Sequence, residues 1–183
     1  MRKAAAIAST LTTSVALALV PAVPGAGATS HQAVHATIEA RLFPLEIIVP
    51  NTANLGAGSR GGSISASLGT ITVNDTRSGN RTWTATVSAT DFTTGSGSGL
   101  ETITKAHIAY WSGPTTAQTG TGTRTPGQAT AAQKVALTVP VVAFRASKGP
   151  TGTSTSWQPT IVIDIPQGAI SGGYTGSIIH SVA

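Results

Sequence analysis

The chain predicts an all-β fold: a single antiparallel β-sandwich with Ig-like stacking of two sheets. Three observations point there. The region after residue 28 is rich in Thr, Ser, Gly and Ala and poor in Leu, Glu and Lys, a balance that favours strands and turns over helices. Short β-branched runs recur between Gly, Ser and Asn punctuation, as a sandwich requires. Residues 81–92 alternate without a fault, with Trp83, Ala85, Val87 and Ala89 on one face and Thr82, Thr84, Thr86, Ser88 and Thr90 on the other. Period two with one apolar parity is the signature of a strand buried on one side and wet on the other.

Taken in order, residues 37–48 read as strand material interrupted by Pro44, with Leu45, Ile47 and Val49 sharing a parity. Residues 51–62 form a Gly/Asn loop. Residues 63–73 carry Ile64, Ala66 and Leu68, then step at Gly69 to Ile71 and Val73. Glycine inside a strand pattern marks a bulge. Residues 74–80 turn into the strand at 81–92, and residues 93–99 loop out of it. Ile103, Ile108 and Tyr110 mark further strand material. Residues 112–132, full of Gly, Thr, Pro and Ala, read as a long mobile loop. Residues 134–144 form a strand in which Pro140 demands an edge or a bend. Residues 147–156 read as turn, residues 160–165 as a strand with Ile161, Ile163 and Ile165 together. Residues 166–173 turn again, and residues 174–182 close the fold with Tyr174, Ile178 and Val182 on one parity.

The N-terminus predicts export. Arg2 and Lys3 precede an uncharged apolar stretch, Ala4 to Val20, broken by Pro21 and Pro24 and followed by Ala26-Gly27-Ala28. This is the layout of a secretory signal peptide spanning residues 1–28. A flexible N-terminus at 29–36 and one domain at 37–183 are expected to follow. Arg2 and Lys3 belong to the leader, so nine basic and six acidic residues remain beyond it, the basic ones spread singly. Nucleic-acid binding needs a dense basic patch and is excluded as a reading; a mildly anionic polymer suits the balance better. Without cysteine there is no thiol catalysis, thiolate metal site or disulfide. No stretch after the leader reaches the length of a membrane helix, and no sorting signal follows, so surface retention is expected to be non-covalent.

Chemistry-bearing patterns are sparse. Ala57-Gly58-Ser59-Arg60-Gly61 lacks the first glycine of a nucleophile elbow, so Ser, His107 or His180 and Asp91 or Asp164 have no recognisable triad context. A glycosidase needs two carboxylates across a cleft; the carboxylates after the leader are only Glu39, Glu46, Asp75, Asp91, Glu101 and Asp164, and Asp91 at a strand end and Asp164 within a strand read as structural. His31 and His35 lie at i, i+4 without a metal-site context. No catalytic residue, metal or cofactor is therefore expected. Trp83 belongs to the core by its parity. Tyr110 and Trp111, just before the expected long loop, and Arg124 within it are the candidate ligand contacts, because flat rings stack on sugars or peptides at low entropic cost. Trp157, before Pro159, shares that character.

Trp83-Thr84-Ala85-Thr86-Val87-Ser88-Ala89-Thr90-Asp91-Phe92 resembles the first conserved segment of WxL-type cell-surface domains. Ile161 to Ile165, Pro166-Gln167-Gly168 and Gly172-Gly173-Tyr174-Thr175-Gly176 are similar to the family's closing stretch, and Leu45 to Pro50 to its early strand. The likeness covers most of residues 37–183. The first signature reads Trp83-x-Ala85, and His180 and Val182 stand at the second. The resemblance implies a secreted β-rich domain that attaches non-covalently to Gram-positive peptidoglycan. The expected function is thus a non-enzymatic, secreted or wall-associated protein whose partner is a cell-wall glycan or peptide. The alternatives are a structural or adhesive surface protein that binds a protein partner or itself, and a small secreted hydrolase.

Overall fold

A computed structural model describes residues 44–183. The expected leader, the N-terminal segment 29–36 and the first part of the strand at 37–48 lie outside the described residues. The described chain is all-β, with antiparallel sheets and no helix of seven residues or more.

The strands are β1 (Leu45–Ile48), β2 (Ser63–Ser67), β3 (Ile71–Asp75), β4 (Arg81–Ala89) and β5 (Phe92–Thr93). Then follow β6 (Thr102–Ile103), β7 (Ile108–Trp111), β8 (Thr115–Thr119), β9 (Gly122–Pro126) and β10 (Val135–Ala136). The last are β11 (Val141–Lys148), β12 (Thr153–Trp157), β13 (Thr160–Asp164) and β14 (Ile178–Val182). They form a first sheet ordered β1-β3-β12-β8, a second ordered β10-β7-β13-β2, a third ordered β14-β4-β11-β9, and the small pair β5-β6.

The first two sheets are joined through three runs of chain, β2–β3, β7–β8 and β12–β13, each broken at a common level. Leu68 N–H donates to Pro159 O at 2.9 Å, and Gln158 Nε2 donates to Thr70 Oγ1 at 3.0 Å, tying the breaks together. Pro159 has no N–H to continue the ladder on its own strand. At Gly69 the register slips by one: Thr160 pairs with Ser67 on one side of the break, Trp157 with Ile71 on the other. The extra residue takes φ +83°, open to glycine at no steric cost. The bulge expected at Gly69 is thus a register step between two sheets, and it flips the inward parity from Ile64, Ala66 and Leu68 to Ile71 and Val73.

The third sheet meets both of the others through β4. Its Trp83 and Ala85 join Ile71, Val73, Phe144, Ala146 and Trp157 in one apolar cluster, with Leu45, Ile47 and Val182 packed against it. Its Val87 and Ala89 join Leu68, Phe92, Ile103, Ile108, Tyr110, Leu137, Ala143, Ile161 and Ile163 in another. The alternation of residues 81–89 is realised residue by residue, the four apolar side chains buried and the hydroxyl side chains outward. In the first cluster the rings of Phe144 and Trp157 stack with centroids 4.8 Å apart, and Trp83 lies 6.3 Å and 6.4 Å from them. Such offset aromatic packing adds about 0.5–1.5 kcal/mol per pair beyond area burial.

Three expectations need correction. Residues 112–132 are not a long loop: they hold β8, β9 and a 3-10 turn at Ala131–Gln133. β8 pairs with β12 and β9 with β11, so this stretch crosses from the first sheet to the third. Residues 147–156 are not simply a turn, since β11 runs on to Lys148 and β12 begins at Thr153. β12 alternates Thr and Ser, and its inward residues Thr153 and Thr155 are hydroxyls, which hid the pattern. Pro140 marks a bend, as expected, but the strand after it is interior; the edge is β10.

Candidate functional site

Two surfaces of the described residues have the shape and chemistry of a binding site. The first is the outer face of the third sheet. Strand alternation turns Thr82, Thr84, Thr86 and Ser88 of β4 outward. Register sets Ser147 beside Thr82 and Arg145 beside Thr84. Thr123 and Thr125 of β9 follow beside Ser147 and Arg145. On the other flank Ser181 of β14 pairs with Thr86, their hydroxyl oxygens 2.8 Å apart. The result is a hydroxyl-covered face carrying the exposed Arg145.

The second surface is a groove of about 850 Å³ between β2 and β14. Its lining includes Leu68, Phe92, Ile163 and Ile178, with Arg60 and His180 among the polar groups. The strap between β1 and β2 supplies one wall, where Leu55 packs on the apolar cluster. Arg60 Nη2 donates to Ser171 Oγ at 3.2 Å. His180 is half-buried on the inward parity of β14. Its Nε2 lies 3.4 Å from the Tyr110 hydroxyl, and the rings tilt at 55° with centroids 5.8 Å apart. Burial disfavours the imidazolium and pushes its pKa down to about 4. Burial raises the Tyr110 hydroxyl well above its ordinary value.

The candidate contacts from sequence do not converge. Tyr110 is fully buried in the core, and the next residue, Trp111, points to the opposite face of the same strand and is half-buried. Neighbours in a strand cannot make one platform. Arg124 lies on the inward parity of β9, opposite the buried Ala146. It donates through Nε to Thr155 Oγ1 at 3.3 Å and through Nη2 to Thr119 O at 2.7 Å. It therefore staples the crossover instead of offering its guanidinium to a ligand. Trp157 has no exposed surface and is core, not a rim platform. Trp83, placed in the core by its parity, is there.

The four positions at which the family signatures fall, Trp83, Ala85, His180 and Val182, lie on the adjacent strands β4 and β14. Ala85 is the register partner of Val182, His180 that of Val87, and Trp83 lies two residues from Ala85 on the same face. The groove itself was missed because it is made by two edges and a strap distant in sequence. The alternation of Ile178, His180 and Val182 was the available signal for one of its walls.

Asp75, Asp91 and Glu101 have local partners. Asp75, fully buried, accepts from Arg77 Nε at 2.9 Å and Nη2 at 2.8 Å and from the Arg77 N–H at 3.0 Å. Burial pulls its pKa upward, but the hydrogen bonds and charge of Arg77 prevail and hold the carboxyl below its ordinary value. Beside it, the buried Lys148 ammonium donates to the carbonyls of Arg77, Gly149 and Thr151. Glu101 Oε2 accepts from the Ser98 N–H at 2.9 Å and from Ser96 Oγ at 2.8 Å; bonding by Ser98 chiefly holds this carboxyl down to about 2. Asp91 accepts from the Lys105 N–H at 2.8 Å, and Asp164 is exposed at the end of β13. No helix among the described residues is long and apolar enough to cross a membrane. No known family model matches the chain, and no curated protein matches it.

Proposed function

We propose that this protein is an exported, non-enzymatic surface domain of Ig-like two-sheet sandwich architecture that holds to the bacterial cell wall through peptidoglycan without a covalent link. The observation that carries the reading is the outer face of the third sheet. Thr82, Thr84, Thr86, Ser88, Thr123, Thr125, Ser147 and Ser181 offer donors and acceptors at strand spacing, and Arg145 adds a cation among them. A glycan presents hydroxyls and amides at comparable intervals, and the peptide stems add carboxylates for the guanidinium. The WxL-type resemblance of residues 83–92 and 161–176, and the leader pattern at 1–28, agree with that location and ligand.

Co-sedimentation with purified Gram-positive peptidoglycan tests the proposal. The protein is expected to be retained well above an albumin control. A variant carrying Thr84→Glu and Arg145→Glu should lose about tenfold in affinity, since a repelled and removed charge-assisted contact costs about 1.4 kcal/mol or more. Retention no better than albumin, or equal retention of the variant, overturns the reading.

A further inference from the structure

The groove between β2 and β14 has the chemistry of a site for an amphiphile. Its floor is apolar: Leu68, Phe92, Ile103 and Ile163 belong to the core cluster beneath it, and Ile178 lines it from β14. About 850 Å³ lies over that floor, within the range of roughly 300–1,000 Å³ typical of small-molecule sites.

The two walls are built differently. One is the strap of residues 49–59, which carries no strand and in which Leu55 alone is not exposed. Leu55 packs on the apolar cluster. At the strap's β2 end, a Cβ on Gly58 would collide with Ile64 and Ile165, and Gly61 N–H donates to Ile165 O at 2.9 Å. The strap is thus anchored at that end, while its middle rests on one apolar side chain. The other wall, residues 169–178, is tied throughout. Ile170 N–H donates to Leu100 O at 3.0 Å, the Tyr174 hydroxyl donates to Ile170 O at 2.9 Å, and Thr175 exchanges both backbone bonds with Thr93.

Arg60 joins the walls. It is exposed at the strap's end, and its Nη2 donates across to Ser171 Oγ at 3.2 Å. Its Nε and Nη1 have no acceptor among the described residues. Neither aspartate nor glutamate lines the groove, and burial keeps His180 neutral, so Arg60 is the one charge among the lining residues. A cation at the rim of an apolar wall acts through a lower effective dielectric than one in open water. One guanidinium over an apolar floor matches one negative charge on a hydrocarbon body. Its planar fork suits a carboxylate. A phosphate monoester would bring a second charge that no lining residue matches.

We propose that the groove binds a long-chain fatty acid, with the hydrocarbon chain over Leu68, Phe92, Ile163 and Ile178 and the carboxylate on the Arg60 guanidinium. The site stands apart from wall binding, which uses the outward parity of the third sheet.

Titration calorimetry on delipidated protein secreted from a bacterial host, with saturated fatty acids below their micellar concentrations, tests it. One saturable site per chain is expected. Affinity should rise by up to about fourfold per methylene from decanoate to palmitate, as apolar surface leaves water. Arg60→Gln should weaken laurate by about tenfold, as loss of a charge-assisted contact does, and leave dodecanol, its uncharged counterpart, unchanged. Arg60 is exposed, so its substitution spares the fold. Ile178→Trp fills the groove and should abolish binding of both. No saturable binding overturns the proposal, whether the groove stays empty or the chain's own residues before 44 cover it. An affinity indifferent to chain length also overturns it, because the ligand would then sit on Arg60 alone. So does an Arg60→Gln protein that holds laurate as tightly as the parent, or an Ile178→Trp protein of unchanged circular dichroism that still binds.

Discussion

The Tyr110 hydroxyl oxygen and His180 Nε2 lie 3.4 Å apart, linking a fully buried residue of the second sheet to the edge strand of the third at the groove. This is where the interior approaches the groove, and the polar tips of two mostly apolar side chains meet there.

The contact predicts a stability that depends on pH. His180 has its pKa lowered from 6.5 to about 4 by burial. The folded state therefore binds fewer protons than the unfolded state between those values, and stability falls as pH drops from about 6.5 to about 4. At about 1.4 kcal/mol per unit the loss has an upper bound of about 3 kcal/mol, reduced by solvent in the groove. Urea unfolding at pH 7 and pH 4.5 should show the difference. His180→Gln should flatten that slope.

Asp75 holds the turn between β3 and β4. Asp75→Ala strips the Arg77 Nε and N–H of their acceptor and leaves Nη2 only the Thr82 carbonyl, next to the buried Lys148. A loss of about 3 kcal/mol is expected, because one partner of a largely buried pair remains. The lowered carboxyl contributes stability that is present above its unfolded pKa near 4 and lost as pH falls through the lower folded value. Asp75→Asn should retain part of the geometry and lose less. Chemical denaturation of both variants checks the order.

The aromatic trio should dominate the core. Trp157→Ala removes a fully buried ring stacked on Phe144 and is expected to cost about 3–5 kcal/mol. Trp111→Ala, on a half-buried outward ring, should cost under half as much. Thermal melts of the two variants side by side provide the comparison.

Gly122 opens β9 at φ +127°, against the backbone of Ser147 and Lys148. A Cβ there would collide with backbone in a conformation that L-residues rarely adopt. Gly122→Ala should cost about 2 kcal/mol or more, whereas Gly79→Ala, in open space but also at positive φ, should cost only the conformational part. Melting temperatures would separate steric from conformational cost.

Alternation alone determined much of this molecule. The parity of Trp83, Ala85, Val87 and Ala89 announced β4 and its buried face, Ile161 and Ile163 announced β13, and Gly69 announced a register step. These were legible because a strand with one apolar face writes period two into the chain. β12 escaped because its inward Thr153 and Thr155 are hydroxyl residues, and β9 because its inward residue is a cation, Arg124, bonded to Thr155 and Thr119. Tyr110 and Trp111 looked like a pair because they are adjacent, whereas a strand sends neighbours to opposite faces. Which strands end a sheet was decided only by tertiary structure. Hydrogen bonding between strands depends on who lies beside whom, and no local pattern in Ser63–Ser67 or Ile178–Val182 states that each stands at the end of its sheet among the described residues.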